Sequence, residues 1–250
     1  MHKLSKLAAG SVIAAAAALG GAGMALADGY VPKKVAYERP SDWSGVYFGV
    51  QSGYQWSSID SEFTGIGTGF SVDHAASFVG AHMGIQHQFG SIVLGVEGNW
   101  LSTVRDDPGS TICPGPTFTC TNRLNDILTI GARAGWAAGH WMPYVTGGYA
   151  SARFAYKSFT TATGVFFDDA STRNPGWYLG AGFEWVISPG WTTGLEYRHY
   201  EFDDVTGPRF FTNGTGVNPV SPLTIGATTD TITARVSWRW GREVAVVPLK

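Results

Sequence analysis

The sequence predicts an all-β fold, an eight-stranded antiparallel transmembrane β-barrel with short periplasmic turns and four long extracellular loops. Three observations carry this expectation. Apolar and polar residues alternate with period two from Trp43 onward, connections alternate between tight and long, and the 10 tryptophans fall at strand ends.

The chain ahead of that pattern reads as an address. His2, Lys3 and Lys6 make a positive start, Leu7 to Leu26 form an apolar run rich in Ala and Gly, and Ala25-Leu26-Ala27 offers the small-x-small site of a signal peptidase. Residues 1–27 are therefore expected to be a signal peptide cleaved after Ala27. A periplasmic N-terminal segment (28–42), the barrel (43–240) and a C-terminal tail (241–250) follow. Losing Lys3 and Lys6 moves the formal charge from −2 to −4, a balance that favours neither nucleic acid nor an acidic ligand as partner. Beyond the signal no apolar run approaches the ~18 residues of a membrane-spanning helix. Charged residues are only 14% of the chain, while 34 Gly, 10 Trp, 10 Tyr and 14 Phe suit a β structure facing lipid.

The strands follow in order. The first sets Val46, Phe48, Val50, Tyr54 and Trp56 against Tyr47, Gln51 and Gln55. The second sets Val79, Ala81, Met83, Ile85 and Phe89 against His82, Gln86 and Gln88; the third sets Ile92, Leu94, Val96 and Trp100 against Glu97 and Asn99. The fourth alternates Leu128, Ile130, Ala132, Ala134 and Trp136 with Thr129 and Arg133. Gly147 and Gly148 blur the faces of the fifth, about Trp141 to Tyr156. In the sixth Trp177, Leu179, Ala181, Phe183 and Trp185 oppose Tyr178 and Glu184; in the seventh Trp191, Thr193, Leu195 and Tyr197 oppose Glu196, Arg198 and Tyr200. The eighth sets Ile232, Ala234, Val236, Trp238 and Trp240 against Thr231, Thr233, Arg235, Ser237 and Arg239.

Tight connections at Phe89–Ser91, Ala138–Trp141 and Ile187–Trp191 alternate with long polar ones at Ser57–Ala76, Ser102–Asn125, Lys157–Asn174 and Asp203–Thr228. That segregation is the outer-membrane pattern and places the protein in the outer membrane of a Gram-negative bacterium. Trp43, Trp136, Trp141, Trp185, Trp191, Trp238 and Trp240 fall at periplasmic strand ends, and Trp56, Trp100 and Trp177 at outer ends. Indoles favour the headgroup level, so these residues predict two aromatic girdles. Lipid and lipopolysaccharide are the partners such a location implies.

The strand charges, Glu97, Arg133, Glu184, Glu196, Arg198, Arg235 and Arg239, fall on the inward face. Eight strands enclose an interior only just wide enough for side chains to fill, and buried charges must be paired. A lumen plugged by a salt-bridge network is expected. A network that rearranges to pass small solutes, making a low-conductance porin, is the alternative. Catalysis by paired carboxylates is disfavoured because Arg neighbours hold them ionised.

The remaining motifs predict little chemistry. Cys113 and Cys120, close together in an exported chain, are expected to form a disulfide rather than a metal site. His82 and His87 point to opposite faces, while His74, His140 and His199 are scattered, so neither a metal nor a haem site is assigned and no cofactor is expected. No Ser lies at a fitting spacing from His199 for a lipid-modifying enzyme. Gly65 to Gly69 read as a flexible loop, not a phosphate cradle, since no helix follows.

Trp43 to Gly49, Gly95 to Asn99, Arg133 to Trp136, Pro143 to Gly148, Gly176 to Glu184 and Leu195 to Arg198 carry a family likeness in their order and spacing. Through them the chain resembles the small major outer-membrane proteins of alphaproteobacteria, within the OmpA-like and opacity-protein β-barrel superfamily and often labelled porins. The resemblance implies a non-enzymatic envelope protein that supports membrane integrity and meets a host or the environment through its loops. It also implies handling by the barrel-assembly machinery, which reads a terminal aromatic; Trp240 stands in that place, with Gly241 to Lys250 after it.

Overall fold

A computed structural model describes residues 42–65, 67–107, 110–113, 117–212 and 217–240. The expected signal peptide with its cleavage after Ala27, the segment 28–41 and the tail 241–250 lie outside the described residues.

Among the described residues nine strands are formed: β1 (Gly45–Phe63), β2 (Thr68–Phe89), β3 (Ile92–Asp107), β4 (Ser110–Ile112), β5 (Phe118–Trp136), β6 (Trp141–Thr160), β7 (Phe166–Ser188), β8 (Trp191–Thr212) and β9 (Val217–Trp240). All pairings are antiparallel. β1 joins β9, and β3 joins β5, so eight long strands close on themselves and leave no edge. β4 is a three-residue strand outside that ring, hydrogen-bonded to β5. Gly90 (φ 63°) and Gly190 (φ 77°) take the left-handed backbone that two of the tight turns need.

The alternation is inverted relative to a water-soluble protein. Val50, Met83, Ile130, Leu179 and Val236 are exposed on the outer wall, while Gln51, His82, Thr129, Arg198 and Arg235 are buried inside. Faces hold across Gly147 and Gly148, with Val145 and Tyr149 outward and Tyr144 and Thr146 inward.

The four long polar loops are corrected. A tilted strand needs about 9–11 residues to cross the hydrocarbon. β1 has 19 residues, β7 has 23 and β9 has 24, so the barrel continues well beyond the apolar band. Of the expected loop Gly65 to Gly69, Thr68 and Gly69 are already in β2, and Gly65 and Gly67 are turn residues. The physical reason is a second reversal of the pattern. Above the lipid, outward positions become polar (Ser58, Asp60, Glu62) and inward ones apolar (Ile59, Phe63). Phe78, Leu124, Phe154, Tyr156, Phe202 and Ile225 join these in a buried cluster within the extension. That hydrophobic core keeps the ladder intact where lipid no longer supports it. Where pairing of β7 with β8 lapses between Ala170 and Gly176, the Asn174 Nδ2 donates to the carbonyls of Asp203 (2.9 Å) and Ile225 (2.5 Å) and closes the seam.

Candidate functional site

At the level of the apolar band the lumen is filled by charge. Glu97 on β3, Arg133 on β5, Glu184 on β7, Glu196 and Arg198 on β8 and Arg235 on β9 are each at most 4% exposed. Because every one is an inward position of a regular strand, the pleat alone aims all six at the barrel axis. Arg235 reaches all three carboxylates: Glu97 at 2.6 Å, Glu196 at 3.0 Å and Glu184 at 3.4 Å. Arg133 joins Glu184 (2.7 Å) to Glu97 (3.4 Å), and Arg198 joins Glu196 (2.5 Å) to Glu97 (2.9 Å). Three acids thus face three bases, and no carboxylate depends on a single partner. Arg239 stands apart from this group, half-buried with its guanidinium 4.9 Å from the centre of the Trp43 ring.

Tyrosines complete the network, and the sequence reading missed them. The Tyr47 hydroxyl donates to Glu97 (2.7 Å) and the Tyr144 hydroxyl to Glu196 (2.8 Å), while Arg133 lies 3.7 Å over the Tyr144 ring and Arg198 4.9 Å over Tyr178. Each tyrosine has a glycine opposite it on the next strand: Gly84 beside Tyr47, Gly182 beside Tyr144 and Gly148 beside Tyr178. A Cβ at Gly84 would come within 2.6 Å of the Tyr47 ring, and one at Gly182 within 2.9 Å of the Tyr144 ring. At Tyr47 and Tyr144 the bare glycine lets the ring lie against the wall and carry its hydroxyl to a carboxylate, while the Tyr178 hydroxyl lies over Gly131 and meets Thr146 Oγ1 at 3.2 Å. An inward Tyr with a Gly at the paired position was the available signal; it needed the register, which the sequence alone does not give.

The periplasmic mouth holds a further correction. Trp43, expected in the lipid-facing girdle, is wholly buried against Val93 and Met142. Its backbone N–H donates to the Gln88 side chain (2.8 Å) and its indole to the Gly139 carbonyl (3.4 Å). It lies before β1 begins, so the strand pleat does not turn it outward. Trp56, Trp100, Trp136, Trp141, Trp177, Trp185, Trp191 and Trp240 are exposed on the wall, and Trp238 is half-covered against Phe48 and Trp240.

At the outer end, Cys113 and Cys120 are disulfide-bonded and buried in the apolar cluster, with the Cys120 sulfur 3.3 Å from the Tyr156 hydroxyl. Closing so short a loop restrains the opened chain by about 2–3 kcal/mol. Reduction is therefore expected to leave the membrane-embedded part intact and to expose the β4–β5 tip to protease. Limited proteolysis with and without reductant checks this, and identical digestion patterns would exclude it. On the outer wall, His199 Nδ1 lies 2.8 Å from Asp230 Oδ1, the same oxygen that accepts from the Tyr197 hydroxyl at 2.5 Å. His199 and Asp230 stand across one β8–β9 register pair, with Tyr197 two residues earlier on β8, a proximity hidden by their separation in sequence.

A closed antiparallel barrel with apolar residues outside and charges inside is built for a bilayer, and aromatic-flanked strands joined by tight turns define the outer-membrane class. The chain belongs to the outer membrane protein beta-barrel domain family, whose model matches residues 13–239. It is 28% identical over 176 residues to the 25 kDa outer-membrane immunogenic protein of Brucella ovis, covering 69% of this chain and 76% of that one. It is 29% identical over 169 residues to the 31 kDa outer-membrane immunogenic protein of Brucella melitensis, covering 63% and 70%. Among solved structures, the outer membrane protease OmpT of Escherichia coli superposes with a TM-score of 0.54 over 81% of this chain and 99% of that one, at 8% identity, which is a likeness of fold alone. The protein is thus an outer-membrane barrel of a Gram-negative bacterium.

Proposed function

We propose that this protein is a structural, non-enzymatic barrel that contributes to envelope integrity and presents its outer extension for contact with a host or the environment. The observation that carries the reading is the interlocked lumen: six buried charges in three-to-three balance, with Arg235 bridging all three glutamates. Moving any one of them strands a charge in a low-dielectric interior, so rearrangement to a water-filled path is costly. Above it, buried apolar side chains cluster within the outer extension. The names of the Brucella relatives, outer-membrane immunogenic proteins, fit an exterior met by a host. Handling by the barrel-assembly machinery and contact with outer-membrane lipid and lipopolysaccharide accompany this role.

Planar-bilayer recording of the refolded full chain tests the closed lumen. No stable conductance step is expected from the wild-type protein. A reproducible single-channel step would replace this reading with that of a low-conductance porin.

A further inference from the structure

Above the apolar band the outward charges are sorted around the barrel. The face formed by β8, β9, β1 and β2 carries Asp60, Glu62, Asp73, Glu201, Asp203 and Asp230, with no Lys or Arg among its described side chains. The opposite face, on β5, β6 and β7, carries Arg123, Arg153, Lys157 and Arg173 against Asp126 and Asp169.

Within that basic face the register sets Asp126, Arg153 and Arg173 side by side in one row across the three strands. Asp126 reaches this row through a bulge after Leu124, a device that re-aims a side chain. Its carboxylate is 2.8 Å from Arg173 and 3.6 Å from Arg153, so one acid serves two directly opposed guanidiniums. Both guanidiniums remain open to solvent, the Arg153 side chain being 53% exposed and that of Arg173 39%. Like charges directly opposite repel, and the row is one negative charge short of balance.

Immediately below, the wall is shaped for a hydrocarbon chain. The next outward rows are Leu128–Ser151–Pro175, Ile130–Tyr149–Trp177 and Ala132–Gly147–Leu179. Buried Ser151 makes a dip lined by Leu128, Ile130, Tyr149 and Arg173. Exposed Tyr149 and Trp177 mark the boundary between hydrocarbon and headgroups.

We propose that Arg153 and Arg173 hold a phosphate of the outer-leaflet glycolipid, the lipid A part of lipopolysaccharide, with an acyl chain lying in the dip below. A guanidinium fork matches phosphate geometry, and two of them at headgroup height supply the charge that Asp126 leaves uncompensated. Short turns on the periplasmic side put this row at the outer leaflet, where the phosphate-bearing lipid is a glycolipid.

The test is binding of diphosphoryl lipid A to the refolded full-length protein in detergent, with enzymatically dephosphorylated lipid A, phosphatidylglycerol and inorganic phosphate as the other probes. The R153Q/R173Q double variant is expected to lose about tenfold or more in affinity for diphosphoryl lipid A, as loss of charge-assisted contacts predicts, and to bind the dephosphorylated lipid as wild type does. D126N, which keeps both guanidiniums and removes their competitor, is expected to bind diphosphoryl lipid A more tightly, and it decides the matter if the double variant does not refold. E201Q/D203N, on the acidic face, is expected to retain wild-type affinity. Unchanged affinity in a heat-modifiable double variant, or in D126N, overturns the site. So does equal binding of dephosphorylated lipid A or phosphatidylglycerol, full competition by millimolar inorganic phosphate, or an equal loss in E201Q/D203N.

Discussion

Arg235→Ala is expected to lower the unfolding free energy of the barrel by about 3–5 kcal/mol, the range for breaking a buried ion pair from one side. The Arg235 side chain is wholly buried and contacts Glu97, Glu196 and Glu184, while the Tyr144 hydroxyl lies 3.3 Å from its Nη1. Removing it leaves three carboxylates with Arg133 and Arg198, an excess negative charge where water cannot solvate it. Arg235→Lys should recover little, because a single ammonium cannot span three carboxylates as the planar fork does. Adding Glu97→Gln to Arg235→Ala should recover part of the loss by removing the stranded charge, giving a favourable coupling between the two sites. Arg239→Ala, at the half-buried position over Trp43, should cost less. Urea unfolding in lipid vesicles, followed by tryptophan fluorescence and by heat-modifiable mobility, measures each difference. An Arg235→Ala barrel as stable as wild type would show that the network does not hold the lumen closed.

The same six charges show how far the sequence could be read. Their inward placement was legible because lipid enforces a strict contrast at this depth: Val96 and Ala134 outward, Glu97 and Arg133 inward. Their partners were not legible, since Glu97 meets Arg235 only through barrel closure, when β9 returns to β1 and β3 meets β5. The polar segment after Trp56 read as a loop for a related reason. Ser57, Ile59, Ser61 and Phe63 keep the inward period, but Ser58, Asp60 and Glu62 lack apolar outward partners, because water rather than lipid now faces them. The pattern had changed sign without stopping. Trp43 failed differently: an indole at a strand end satisfies its N–H as well in the mouth of the barrel as in a headgroup layer, and the sequence does not separate those two solutions.

Val50→Arg is expected to destabilise the folded barrel in vesicles by about 2–4 kcal/mol, the cost of an arginine at the bilayer midplane. Val50 is 67% exposed, lies on the outward face of β1 midway between Val46 and Tyr54, and is flanked by Ala81 and Val236 on the adjoining strands. In a protein surrounded by water, a substitution at so open a position would fall within about 0.5 kcal/mol of neutral. Ser58→Arg provides the internal control. Ser58 is on the same strand and the same outward face, one pleat repeat beyond Trp56, and is also exposed, yet arginine there meets water and headgroups and should be nearly neutral. Neither residue donates to the lumen network, so any difference between them reports the surrounding medium and not the interior. Folding yield and urea unfolding of the two variants in the same vesicles measure it. Equal costs at the two sites would mean that the hydrocarbon edge does not lie at Trp56. A large cost at Val50 alone fixes that edge between the two residues, and with it the height at which the outward wall changes from apolar to charged.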